Sequence, residues 1–142
     1  MNRMDPDEWR SFLVKDRRTA KVATVRADGR PHVAPVWFVL DTDDLVFTTM
    51  LSSVKGKNLS RDPRVMVSVD EESFPYSFVL IQGEVQIENL TPQELLPWAT
   101  RIATRYVGEG RGETYGRRNA VEGEVLVRVP LAKVNAISGV AD

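Results

Sequence analysis

Thr19-Ala20-Lys21-Val22-Ala23-Thr24-Val25 is rich in β-branched residues, roughly alternates, and runs into Asp28-Gly29. Alternation with a period of two marks a half-buried strand, and Asp-Gly supplies the backbone conformation of a tight hairpin turn. His32 to Leu40 is then the return strand, Asp41 to Asp44 a polar turn, and Leu45 to Met50 a third strand, so these strands arrive as a meander. Further on, Arg64 to Val69 alternates as a fourth strand. Tyr76 to Ile87 is one long strand with a bulge or bend at Gly83, and Glu124 to Val129 is a last strand that Pro130 ends. The connections are too short for parallel crossovers, which predicts an antiparallel barrel or sandwich.

Helices are sparse. In Asp5-Pro6-Asp7-Glu8 a capping residue, a proline at the first helical position and an acid three residues after the cap announce a helix with Trp9, Phe12 and Leu13 as its apolar stripe. Ser52 or Ser53 caps a short helix through Leu59 that Asp62-Pro63 stops. Thr91-Pro92-Gln93-Glu94 is a second capping box, followed by a buried face of Leu95, Ala99, Ile102, Ala103 and Tyr106. Trp98 lies off that stripe and is a candidate dimer contact. Gly108 to Gly116 is expected to be a mobile, glycine-rich loop. Trp37 and Phe38 are adjacent on a strand and point to opposite faces, so at least one faces an outer layer or interface.

Composition narrows the function. A chain of 142 residues is one domain, 1–142, and its 19 basic against 20 acidic side chains give no global attraction to nucleic acid or anionic lipid. Basic strands with exposed aromatics, which a nucleic-acid-binding barrel needs, are absent. There is no cysteine, the charged start MNRMDPDEWR lacks an apolar signal core, and no apolar run approaches the ~20 residues of a membrane span, so a cytoplasmic protein is expected. The single histidine, His32, has no partner at metal-ligand spacing, and neither a metal nor a serine triad is assigned. Gly56-Lys57-Asn58 lacks the upstream glycine and the hydroxyl of a phosphate loop, and no strand precedes Gly108-Glu109-Gly110-Arg111-Gly112 to make it a dinucleotide fingerprint.

What survives is Thr48-Thr49-Met50-Leu51-Ser52-Ser53-Val54-Lys55-Gly56-Lys57-Asn58. Hydroxyls and free amides at a helix N-terminus, with two lysines and a glycine, describe a phosphate clamp. They equally describe a capped surface helix with two solvated lysines.

A resemblance bears on that choice. Ala27-Asp28-Gly29-Arg30-Pro31-His32-Val33 and Pro35-Val36-Trp37-Phe38, followed by Lys55-Gly56-Lys57-Asn58-Leu59-Ser60-Arg61-Asp62-Pro63-Arg64-Val65, resemble the pyridoxamine-phosphate-oxidase-like flavin and deazaflavin oxidoreductases. The likeness continues more loosely through Ser77 to Ile87 and Val125 to Val129. It implies a mainly β protein, a split β-barrel of six to seven antiparallel strands with two to three helices, forming a homodimer with cofactor clefts between subunits. It also implies that Ser53, Lys55, Lys57 and Asn58 hold the cofactor phosphate, or the phosphate-bearing side chain of a deazaflavin. Thr48, Thr49 and Met50 would line the ring and ribityl portion, Val36, Trp37 and Phe38 would lie beside the ring, and Phe74 and Tyr76 would reach across from the second subunit. No side chain is assigned as catalytic, because the cofactor carries the chemistry.

Leu126 to Asp142 lacks the arginine and histidine pattern of true pyridoxamine phosphate oxidases, and His32 is far from the C-terminal histidine of the heme-degrading relatives. The Lys-Gly-Lys-Asn-Leu run is more similar to the deazaflavin branch typical of actinobacteria. That implies coenzyme F420, an 8-hydroxy-5-deazaflavin, with FMN as the alternative. The implied activity is hydride transfer from reduced F420 to a small acceptor such as an activated C=C, a quinone or a tetrapyrrole. An FMN-dependent oxidoreductase and a cofactor carrier without turnover are the alternatives.

Overall fold

The computed structural model describes all of Met1–Asp142. In chain order the elements are β1 (Asn2–Arg3), α1 (Pro6–Val14), β2 (Ala20–Val25), β3 (Pro31–Val36), β4 (Val39–Asp41), β5 (Asp44–Met50) and α2 (Val54–Arg61). Then follow β6 (Arg64–Glu71), β7 (Ser77–Glu84), β8 (Gln86–Glu88), α3 (Pro92–Val107), α4 (Glu109–Asn119), β9 (Glu124–Pro130) and β10 (Lys133–Ser138). All pairings are antiparallel, in a six-stranded sheet β1-β10-β7-β6-β2-β3 and a four-stranded sheet β4-β5-β9-β8. Gly29, at φ 87°, makes the β2–β3 turn that Asp28-Gly29 announced.

The two sheets face each other across the main core. Val22, Val67 and Ile81 of the larger sheet meet Leu45, Phe47 and Val127 of the smaller one, all of them fully buried. A second cluster, Val39, Val46 and Leu126 with Leu95 and Ile102, lies on the other face of the smaller sheet under α3. The inner strand β5 is therefore covered on both faces, which explains why Leu45, Val46 and Phe47 are consecutive apolar residues and all buried. Arg128 of β9 ties this sheet together, donating to Asp41 at 2.9 Å, Asp44 at 3.3 Å and Glu88 at 2.6 Å, one carboxylate from each of the other three strands.

Several sequence expectations are corrected. His32–Leu40 is not one strand: β3 and β4 belong to different sheets and the chain turns a corner at Trp37-Phe38, so β5 pairs with β4 and not in a meander with β3. Tyr76–Ile87 divides in the same way at Val85, whose amide leaves the ladder to donate to the Pro63 carbonyl at 2.9 Å. Beyond Pro130 the chain continues into a further strand, β10, giving ten strands and four helices in place of six to seven and two to three. No hydrogen-bonded ladder joins the two sheets, so the expected barrel is open.

The largest correction is at Gly108–Gly116, which lies mostly in helix α4 and not in a loop. Gly112 packs on Thr104 and Gly116 on Thr100, an antiparallel register in which an added Cβ would lie 2.9 Å from the Thr104 Cβ and 2.8 Å from the Thr100 Cα. Glycines four residues apart form a flat stripe that lets α4 lie against α3, and that packing offsets their poor helix propensity. No helix is long and apolar enough to cross a membrane.

Gly116→Val should therefore cost roughly 1–3 kcal/mol in urea unfolding through overpacking of this hairpin. Gly110→Ala, whose methyl meets nothing within 4 Å, should be neutral or stabilise by up to about 1 kcal/mol.

Candidate functional site

Ser53 is the N-cap of α2. Its hydroxyl accepts from the Gly56 amide at 3.0 Å, donates to the Met50 carbonyl at 2.7 Å and lies 3.2 Å from the Thr49 hydroxyl. One donor and two acceptors are thus all engaged in fastening the helix to the end of β5. Gly56 serves the same junction, since a Cβ there would lie 2.8 Å from the Leu51 Cα. The amides of Val54 and Lys55, ahead of the first intrahelical bonds, donate to no group of the chain.

A helix turns 100° per residue, so Lys55 and Lys57 leave α2 on nearly opposite sides. Lys55 enters a cleft of about 300 Å³ lined by Pro35, Val36, Trp37, Thr48, Ile102, Arg118, Asn119 and Glu124. Lys57 and Asn58 border a separate concavity of about 320 Å³ with Arg26, Asp28 and Arg61. Asn58 is buried, and its amide donates to the Thr24 hydroxyl at 3.0 Å, anchoring α2 to β2.

The strand residues divide by face. Thr48 opens into the cleft, whereas Thr49 points into the junction with Ser53 and is buried. Val36 and Trp37 line the cleft, while Phe38 is fully buried in the inter-sheet core. Trp37 stacks on Tyr106 of α3 with centroids 5.1 Å apart and planes 5° from parallel, and meets Tyr115 of α4 at 6.3 Å. Met50 contributes its carbonyl to the Ser53 cap. Phe74 and Tyr76 sit on the β6–β7 turn, at the opposite end of β6 from α2, exposed and edge-on to each other at 6.0 Å. Within one chain, then, Val36, Trp37, Thr48 and Lys55 come together, and the other eight do not line that cleft. Trp98 is half-buried between Arg101 and Arg128, at 5.5 and 5.1 Å.

Glu124 and Arg118 are cleft residues that the sequence did not single out. Met50↔Glu124 begins the β5–β9 ladder, which puts Glu124 diagonally beside Thr48. Arg118 and Asn119 arrive from the last turn of α4, just beyond the glycine-rich stretch Gly108–Gly116. Desolvation pushes the Lys55 ammonium below its ordinary pKa against the opposing pull of Glu124, and desolvation raises Glu124 against the pull of Thr48 and Lys55. Both charges are thus disfavoured by the fold.

The fold recurs in solved structures. A conserved hypothetical protein of Mycobacterium tuberculosis superposes with a TM-score of 0.81 at 23% identity, covering 96% of this chain and 86% of that one. The FAD and heme binding protein of Mycobacterium smegmatis gives 0.75 at 18%, covering 98% and 74%. A structure described as an F420 reductase gives 0.68 at 26%, covering 87% and 94%. The profile of the pyridoxamine 5'-phosphate oxidase family matches residues 5–136, and the chain belongs to that family, whose fold accommodates flavin-type cofactors.

Lys55 and Asn58 should separate function from stability. Asn58→Ala strands the Thr24 hydroxyl and should cost about 1–3 kcal/mol in unfolding experiments. Lys55→Met should raise the melting temperature near neutral pH. Because the fold lowers the lysine's pKa, the penalty is present below that folded value and fades as the ammonium deprotonates. The gain should therefore shrink toward alkaline pH.

Proposed function

We propose that the Trp37–Thr48–Lys55 cleft binds the phosphate-bearing end of a flavin-type cofactor, and that the protein is an F420-dependent oxidoreductase. The observation that carries this reading is a half-buried ammonium, Lys55, in one cleft with Arg118, the Thr48 hydroxyl and the Trp37 ring. The residues fit such a group. Lys55 and Arg118 offer charge and donors to a phosphate, Thr48 offers a hydroxyl to a ribityl chain, and Trp37, flanked by Val36 and Ile102, offers apolar surface to a ring. When bound, a reduced deazaflavin supplies hydride to an acceptor such as an activated C=C, a quinone or a tetrapyrrole. The chain's own part is to bind, orient and exclude water. FMN is the alternative occupant, and the resemblance to an F420 reductase favours the deazaflavin.

A homodimer belongs to the same proposal. The outer face of the six-stranded sheet has no helix over it and exposes Val33 and Met66 at 64% and 42%. The Phe74–Tyr76 turn, exposed at 73% and 45%, is free to reach a second copy. Closing that face against itself covers apolar surface and encloses the edge of the cleft.

Fluorescence titration with F420 and FMN in parallel should show the tighter affinity for F420. Lys55→Ala should weaken it by about 1.5–3 kcal/mol, the value of a lost charge-assisted contact. Unchanged affinity removes Lys55 from the site. Light scattering of the cofactor-free protein should report a dimer, and a monomer contradicts the shared cleft.

A further inference from the structure

We propose that Glu124 makes anion capture in the Lys55 cleft a proton-coupled event: an anionic group settling beside Lys55 is accompanied by uptake of a solvent proton on the Glu124 carboxylate. The inference rests on the cofactor site proposed above and concerns how that site handles charge.

The cleft is built with one carboxylate among its cations. Glu124, the first residue of β9, lines the cleft together with Lys55 from α2, Arg118 and Asn119 from α4, and Thr48 of β5, which lies diagonally across the ladder from it. Lys55 acts on Glu124 through space, and no hydrogen bond or ion pair is formed between them. Glu124 and Lys55 are both half-buried in this cleft beside Val36, Trp37 and Ile102, so charges there are less screened than fully solvated ones. In the free protein, Glu124 is the only anion facing Lys55 in this cleft. A bound phosphate takes over that place and lies near a second negative charge. The carboxylate is already biased toward its neutral form by burial, so adding a proton relieves the repulsion with least rearrangement. The resulting carboxylic acid donates a hydrogen bond where the carboxylate only accepts.

The test is calorimetric titration of the full-length protein with FMN and with F420 in two buffers of different ionisation enthalpy. Wild-type protein should take up a measurable fraction of one proton per ligand near neutral pH. Glu124→Gln should take up less by that fraction and bind either ligand roughly tenfold more tightly, since the repelling charge is gone. Glu124→Asp should restore proton uptake, which a role in folding alone does not predict. Equal proton counts in wild type and Glu124→Gln overturn the inference while leaving the cofactor site intact. Failure of wild-type protein to bind either ligand overturns the site assignment and this inference with it.

Discussion

The corner at Trp37-Phe38 is the constraint around which the molecule is arranged. There the chain leaves one sheet for the other, and two peptide groups lose their ladder partners inside the protein. An unsatisfied buried amide or carbonyl costs about 1–3 kcal/mol, so the corner exists only because α3 supplies substitutes. The Tyr106 hydroxyl accepts from the Phe38 amide at 3.2 Å and donates to the Arg18 carbonyl at 2.8 Å. Arg105 donates to the Phe38 carbonyl at 2.9 Å and to the Leu13 carbonyl at 2.7 Å. Its guanidinium has no carboxylate partner, lies 4.4 Å from the Phe38 ring, and is pushed below its ordinary pKa by burial. Two adjacent residues of α3 thereby fix the end of α1, the start of β2 and the switch between sheets.

The same corner makes the site. Turning Phe38 into the inter-sheet core obliges Trp37 to face the other way, onto Tyr106 and into the cleft. The cleft's aromatic wall is thus a consequence of the sheet crossing. At the cleft's other side, Ser53 fastens the start of α2 to β5 and Asn58, in its middle, fastens it to β2. Lys55 is free to face a ligand because its neighbours carry the structural bonds.

Caps and turns were legible in the residues because their signals are local. The capping box at Thr91 and Glu94, the Asp5 cap and the Asp28-Gly29 turn all depend on groups within a few positions of one another. The corners were not legible, because a strand that changes sheet keeps its β-branched, apolar character. Only the alternation slips, with Phe38 and Val39 both buried. Helix α4 was hidden for a different reason: its glycines are a loop signal when taken singly, and their meaning lies in the spacing that matches Thr100 and Thr104 one helix earlier. For the site, the type of residue was legible and its direction was not. Thr48 and Thr49, or Lys55 and Lys57, are neighbours in the chain but face different surroundings. Glu124 belongs to the cleft through strand register, which depends on the β5–β9 pairing across the intervening helices.

Those surroundings place a tension in the free protein. Lys55 and Glu124 are each held where partial burial penalises their charged forms, and no hydrogen bond joins them. Neither charge improves the fold, and a protein selected for stability alone has no use for the arrangement. An anion bound at Lys55 converts the lysine's penalty into a charge-assisted contact, at the expense of Glu124, which must then surrender its own charge. On the proposed reading, the stability withheld from the unliganded fold would reappear as preference for one kind of ligand group in one protonation state.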